Sequence, residues 1–180
     1  MKTIGSLIFV LMLVATVYAA EDVISAVHGE IKKIDSGTKT IVIKTTDGTE
    51  HSLNFVAKTT VYGADDLAKA TEDSWRGLKK GTEVVVHYTT RGTEDTAVEI
   101  DKIGKDGLKE MDGAIKGVDR GGKKLVVKTA DGTEETFRLT GHATEDAGKD
   151  MAKGTEQGAK VTVYYTEEAG KKVAHFFEKT

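Results

Sequence analysis

Five histidines, His28, His51, His87, His142 and His175, are the side chains best suited to chemistry in this chain. Imidazole binds borderline metals and carries protons near neutral pH. None of the five stands in a short ligand pair such as His-x-His, so a metal site would have to be assembled from distant strands, and a structural zinc site wants three or four converging ligands. No metal and no cofactor are therefore expected. Cysteine is absent, which excludes thiol nucleophiles and thiolate metal sites. Beyond residue 20 the serines are Ser25, Ser36, Ser52 and Ser74, none in a Gly-x-Ser-x-Gly elbow. Carboxylates are abundant enough to offer an acid/base pair, yet the Thr-Glu-Asp triplets beginning at Thr71, Thr93 and Thr144 read as solvated loops or helix starts. Arg120-Gly121-Gly122 lacks the following helix that a phosphate-cradling loop needs. No catalytic residue is assigned, and an enzyme is not expected.

Where these side chains can meet depends on the strands that carry them, and the chain writes its strands twice. Lys-Thr-Thr-Asp-Gly-Thr-Glu at 44–50 returns as Lys-Thr-Ala-Asp-Gly-Thr-Glu at 128–134. The match widens to 29–50 over 113–134, with roughly half the positions identical, and resumes at 82–90 over 159–167 after a short deletion in the second copy. His28, His51 and His87 face Asp112, Glu135 and Tyr164 in this alignment, so no histidine is repeated.

Each copy opens with a strand, 27–35 and 111–119, closed by Ser36-Gly37 or Arg120-Gly121-Gly122. Its apolar residues, Ile31 and Ile34 or Ile115 and Val118, are three apart, which strict alternation would send to opposite faces. The same offset in both copies predicts a bulge that returns both to one core. Strand two turns Ile41 and Ile43, or Leu125 and Val127, inward. Asp47-Gly48 and Asp131-Gly132 predict tight type I′ hairpin turns into strand three, which carries Leu53 and Phe55, or Phe137 and Leu139. Residues 63–81 then predict a helix, with Asp65 and Asp66 at its start, Lys79 and Lys80 at its end, and Leu67, Thr71, Trp75 and Leu78 on one face. Copy two keeps one short turn around Met151. Strand four places Val84 and Val86, or Val161 and Val163, inward, and strand five of copy one does so with Val98 and Ile100. His175, Phe176 and Phe177 do not show which face of the last strand is buried.

Three strands, a helix and two strands, stated twice, predict an all-β protein of two tandem five-stranded OB-like small barrels with a short helix in each. Gly-x-Ile-x-x-Ile-Asp at 29–35, Thr-Ile-x-Ile-Lys-Thr-x-Asp-Gly at 40–48 and Leu-Lys-x-Gly-Thr-x-Val-x-Val at 78–86 also resemble the motifs of a small family of exported bacterial β-barrel domains of unknown function. The resemblance covers both copies, although the second lacks the leucine of the last motif. It implies the barrel fold and export, and no activity.

Lys2, the apolar run 7–14 and the small-residue end 15–20 predict a secretory signal peptide over 1–20, cleaved after Ala19 or Ala20. The run is well short of the ~20 residues of a spanning helix. The first barrel is placed at 21–104 and the second at 105–180, joined by a short glycine-containing linker that allows some rotation. The expected product is a periplasmic or secreted soluble monomer without a lipid anchor or membrane span. A net charge of -3 offers phosphate backbones no general attraction, so nucleic acid is disfavoured.

Barrels of this class expose a ligand face on strands two and three. Alternation puts Lys44 and Asn54 there in copy one and Lys128 and Arg138 in copy two, with His87 and Tyr164 at matched outward positions on strand four. These six are the candidate ligand contacts. The reading is an exported non-enzymatic binding or interaction module of the cell envelope, serving a small ligand, a glycan or an envelope protein. Two alternatives stand beside it: a hydrolase-like enzyme with its site between the barrels, and a structural or stress-protective envelope protein.

Overall fold

Period-two apolar alternation becomes twelve strands in a computed structural model that describes residues 24–64, 71–119, 121–143 and 157–180. The expected signal peptide, the helix start at Asp65 and Asp66, and the turn around Met151 lie outside the described residues. In the first copy the strands are β1 (Ile24–Asp35), β2 (Thr40–Lys44), β3 (Glu50–Tyr62), the short β4 (Ser74–Trp75) and β5 (Leu78–Lys79), then β6 (Glu83–Arg91) and β7 (Glu94–Lys102). The second contributes β8 (Lys109–Asp119), β9 (Lys124–Lys128), β10 (Glu134–Leu139), β11 (Lys160–Glu168) and β12 (Lys171–Lys179). Each copy closes into its own five-stranded barrel, β1-β2-β3-β7-β6 and the equivalent β8-β9-β10-β12-β11. In each, one parallel pair completes the circle, β3 with β7 and β10 with β12.

The expected bulge is present in both opening strands, between Ile31 and Lys33 and between Ile115 and Gly117. It lets Ile31 and Ile34 share a core with Ile41, Ile43, Leu53, Phe55, Val84 and Val86. In the second barrel Ile115 joins Leu125, Val127, Phe137, Leu139, Val161 and Val163, with Val118 packed against them. Gly29 shows why a side chain is missing before the bulge. A Cβ there would lie 2.4 Å from the Lys44 carbonyl oxygen, and one on Gly113 would lie 2.7 Å from that of Lys128.

Three local expectations are corrected. The Asp-Gly hairpins are not type I′, because only the glycine has positive φ, 88° at Gly48 and 89° at Gly132. Gly48 N–H donates to Thr45, Thr45 N–H to Thr49, and Asp47 Oδ1 accepts from Thr49 N–H, a type I turn followed by a left-handed glycine. Residues 71–81 are not helical. Arg76 and Gly77, with φ of 48° and 78°, reverse the chain between β4 and β5, and this hairpin lays Trp75 on Phe55 at 4.3 Å between ring centroids while burying Leu78 completely. Tertiary contact with the barrel core has overridden a helical charge pattern. Val98, finally, is not an inward residue: His87 pairs with Glu99 and Tyr88 with Ala97, so Val98 is the extra residue of a bulge and Ala97 and Ile100 fill the core.

The same bulge recurs in the last strand, where Tyr164 pairs with Phe176 and Tyr165 with Ala174, leaving His175 as the extra residue. Here both strand faces are buried: Phe177 points into its barrel while Phe176 points out, to pack with Tyr164, Val85, Ile103 and Leu108. That third cluster joins the barrels through the outer faces of β6 and β11. Ile103 and Leu108 of this cluster come from the linker.

Candidate functional site

Strand pairing sets the polar part of the joint. On β7, Glu99 and Asp101 flank the inward Ile100 and so share the outer face, and on β6 His87 stands directly across from Glu99. The second barrel supplies His175 from the β12 bulge, a device that re-aims a side chain out of the regular alternation. His142 comes from residues 141–143, which are helical. Five residues from β6, β7, β12 and that helical segment therefore meet where the two barrels touch.

Asp101 is the centre. It is 0% exposed, and neither carboxylate oxygen has a hydrogen-bond partner. His175 Nδ1 at 3.5 Å and His87 Nε2 at 3.7 Å from Oδ2 attract it without bonding. Glu99 lies beside it, with His142 Nδ1 2.7 Å from one oxygen and His175 Nδ1 3.9 Å from the other. Burial pushes the Asp101 carboxyl well above the ordinary carboxylate range, and the Glu99 charge adds to that effect. Glu99 moves the opposite way: its hydrogen bond with His142 and the charges of the three histidines hold it far below its usual value despite burial. Thr166 Oγ1 meets the far nitrogen of His175, Nε2, at 3.2 Å. Donor atoms of Glu99, Asp101 and His175 lie within 4.8 Å of one another, a spacing that one metal ion can span.

A second polar group ties the barrels at another point of the joint. His28 of β1 places Nδ1 2.8 Å from Glu178 of β12 and Nε2 3.1 Å from Glu83 of β6, and the Tyr164 hydroxyl donates to the same Glu178 oxygen at 2.7 Å. A carboxylate on each ring nitrogen favours the doubly protonated form of His28. Burial alone would lower its pKa, but Glu178 and Glu83 raise it above 6.5.

No protein-family model matches the chain, and no curated protein matches it. Among solved structures it is similar to silver(I)-bound CusF, at 15% identity and a TM-score of 0.33 over 44% of this chain and 97% of that one. It is similar also to apo-CusF residues 6–88 from Escherichia coli, at 18% identity and a TM-score of 0.35 over 49% of this chain and 98% of that one.

The six residues singled out from sequence do not converge. His87 and Tyr164 do point out of their barrels as expected, but the neighbouring barrel covers them to 1% and 2% exposure. Lys44 and Lys128 are exposed at equivalent places, each lining a groove, of about 560 Å³ in the first barrel and 610 Å³ in the second. Asn54 is half-buried on β3, and Arg138 is exposed on β10 with Glu168 at 3.4 Å. Sequence reasoning did not single out Glu99 or Asp101, and it named His142 and His175 among the histidines without assigning them to a site. One signal for them was available: Val161 to Thr166 and Val173 to Phe177 carry large side chains on both alternating faces, which marks strands covered on both sides.

Proposed function

We propose that this protein is an exported, non-enzymatic binding module of the cell envelope whose ligand site is the joint between its two barrels, and that its ligand there is a small cation. The observation that carries the reading is Asp101, fully buried with both carboxylate oxygens unbonded. Burying a carboxylate costs several kcal/mol, which His175 and His87 at 3.5 and 3.7 Å offset only in part. A cation between Asp101 and Glu99 would offset that cost with the two charges already aimed at one point. Strands two and three are less well supported as the ligand face, since Lys44, Asn54, Lys128 and Arg138 form no common site. A hydrolase would draw on the same carboxylate pair, because groups driven apart in pKa divide acid and base roles. Asp101 has no accessible surface from which to reach a substrate, and this favours binding over catalysis.

The test is thermal unfolding of the purified protein against divalent metals, small amines, cell-wall glycans and short oligonucleotides. A cation at ~100 times its dissociation constant stabilises by ~2.7 kcal/mol, and Asp101→Asn abolishes that gain while leaving the fold intact. Stabilisation by a glycan or an oligonucleotide, with none by any cation, would overturn the reading.

A further inference from the structure

We infer that the cation is a divalent transition metal held by Glu99, Asp101 and His175, with His87 beside Asp101. The inference rests on reading the joint as a cation site and names what that site selects. Three donors each ~2.1 Å from one ion stand about 3.4 Å apart in tetrahedral geometry. His175 Nδ1 is 3.5 Å from Asp101 Oδ2 and 3.9 Å from Glu99 Oε1, close to that spacing, and all three donors lie within 4.8 Å of one another, so side-chain adjustment completes the set. The distance from His87 Nε2 to Asp101 Oδ2, 3.7 Å, is of the same order.

Donor chemistry narrows the metal. Imidazole nitrogen with carboxylate oxygen suits zinc, nickel, cobalt or iron in the divalent state. Calcium takes six to eight oxygen ligands and magnesium keeps an octahedral, largely hydrated shell, neither of which two carboxylates among histidines supply. Soft monovalent ions prefer sulfur; the chain has no cysteine, and among the described residues no methionine stands in the cluster. The surroundings also match what metal ligands need. Ligating histidines donate their second ring nitrogen to an outer partner, which fixes the tautomer. Thr166 Oγ1 lies 3.2 Å from His175 Nε2, so an outer partner for that nitrogen is in place when Nδ1 gives up its proton to take a metal. His142 holds the second oxygen of Glu99, leaving the first for the metal. Because Glu99 and Asp101 come from β7 and His175 from β12, one bound ion would staple the two barrels together.

Native mass spectrometry and equilibrium dialysis of the purified protein against Zn(II), Ni(II) and Co(II), with Mg(II), Ca(II) and Ag(I) alongside, decide the matter. We expect one transition-metal ion per chain and visible absorption from the Co(II) form. Asp101→Asn and His175→Ala should each weaken Zn(II) binding by ~100-fold or more, beyond what loss of an outer hydrogen-bond partner costs. His51→Ala, outside the cluster on β3, should bind as the parent does. Asp101→Asn is nearly isosteric, so it keeps the test decisive should His175→Ala fail to fold. Zn(II) binding that survives Asp101→Asn, or falls with His51→Ala instead, overturns the inference. Stabilisation by Mg(II), Ca(II) or an amine without transition-metal binding overturns it and leaves the cation reading standing. Stabilisation by no cation at all overturns both.

Discussion

Asp101 makes a prediction about the empty protein that is opposite in sign to the one about the loaded protein. In the absence of metal its carboxylate is a buried charge whose nearest cationic candidates stop short of hydrogen-bond distance. Burial raises its pKa, so the ionised form costs folding free energy above that pKa, and a neutral isostere removes the cost. Asp101→Asn is therefore expected to raise the unfolding free energy by about 1–3 kcal/mol at pH 8 in a chelator, read from the urea midpoint. Adding Zn(II) should reverse the order, since only the parent gains from the ion. At this scale the sequence was least legible. His87 could be singled out from its place on strand four, but Glu99 and Asp101 alternate with Val98 and Ile100 in a way that any half-solvated strand would show. His175 reaches the cluster only because one extra residue shifts the register of β12, and nothing in the local sequence marks that shift.

The elements were far easier to read. Inward pairs on strands two, three and four, and the offset of Ile31 and Ile34, follow from side-chain period alone, because a one-residue slip would expose every core residue. The stretch before β6 failed for an instructive reason. Charges placed for a helix dipole contribute some tenths of a kcal/mol each, whereas burying Leu78 and stacking Trp75 on Phe55 contribute several times more. Gly77 and Arg76, with positive φ, are the chain's means of making that choice. The hairpin acts as a plug on the first barrel, with Arg76 donating to the Thr59 carbonyl at 2.6 Å and lying over Trp75. Leu78→Ala should cost about 2–5 kcal/mol in chemical unfolding of the whole protein. A loss under ~0.5 kcal/mol, the scale of a surface substitution, would mean that the hairpin is peripheral to the core.

For the whole molecule, the His28 cluster ties the union of the barrels to pH. His28 is raised above 6.5 in the folded state, so its stabilising contribution is complete below 6.5 and disappears as pH climbs through the raised value. Glu178 is lowered from 4.5 by His28 and Tyr164 in spite of burial, so its contribution is present above 4.5 and disappears as pH falls through the lowered value. Glu83, Glu110 and Asp112 also face this group, and the upward shift of Glu110, led by burial, reflects the crowding of carboxylates around His28. The clasp is accordingly strongest between about 4.5 and 6.5. Limited proteolysis near Gly107 should be slowest in that window and accelerate toward pH 9, and His28→Asn should remove the alkaline acceleration. A parent protein cut at equal rates from pH 5 to 9 would show that hydrophobic packing alone holds the joint.

Because the bulges of β7 and β12 coincide, the two outer faces can be matched residue for residue: His87 with Tyr164, Glu99 with Phe176, Val98 with His175, Asp101 with Glu178. Almost nothing at these positions is the same. Two identical barrels meeting through this strand pair would set glutamate near glutamate or press one aromatic face on another, and neither arrangement would gather carboxylates and imidazoles around a point. Covalent duplication lifts that restriction, since each half can then change without changing its counterpart. The inward residues, which serve only their own barrel, have stayed alike, while the outward ones have become unlike. Divergence between the halves, rather than their repetition, is thus what endows the pair with a site that neither barrel holds alone.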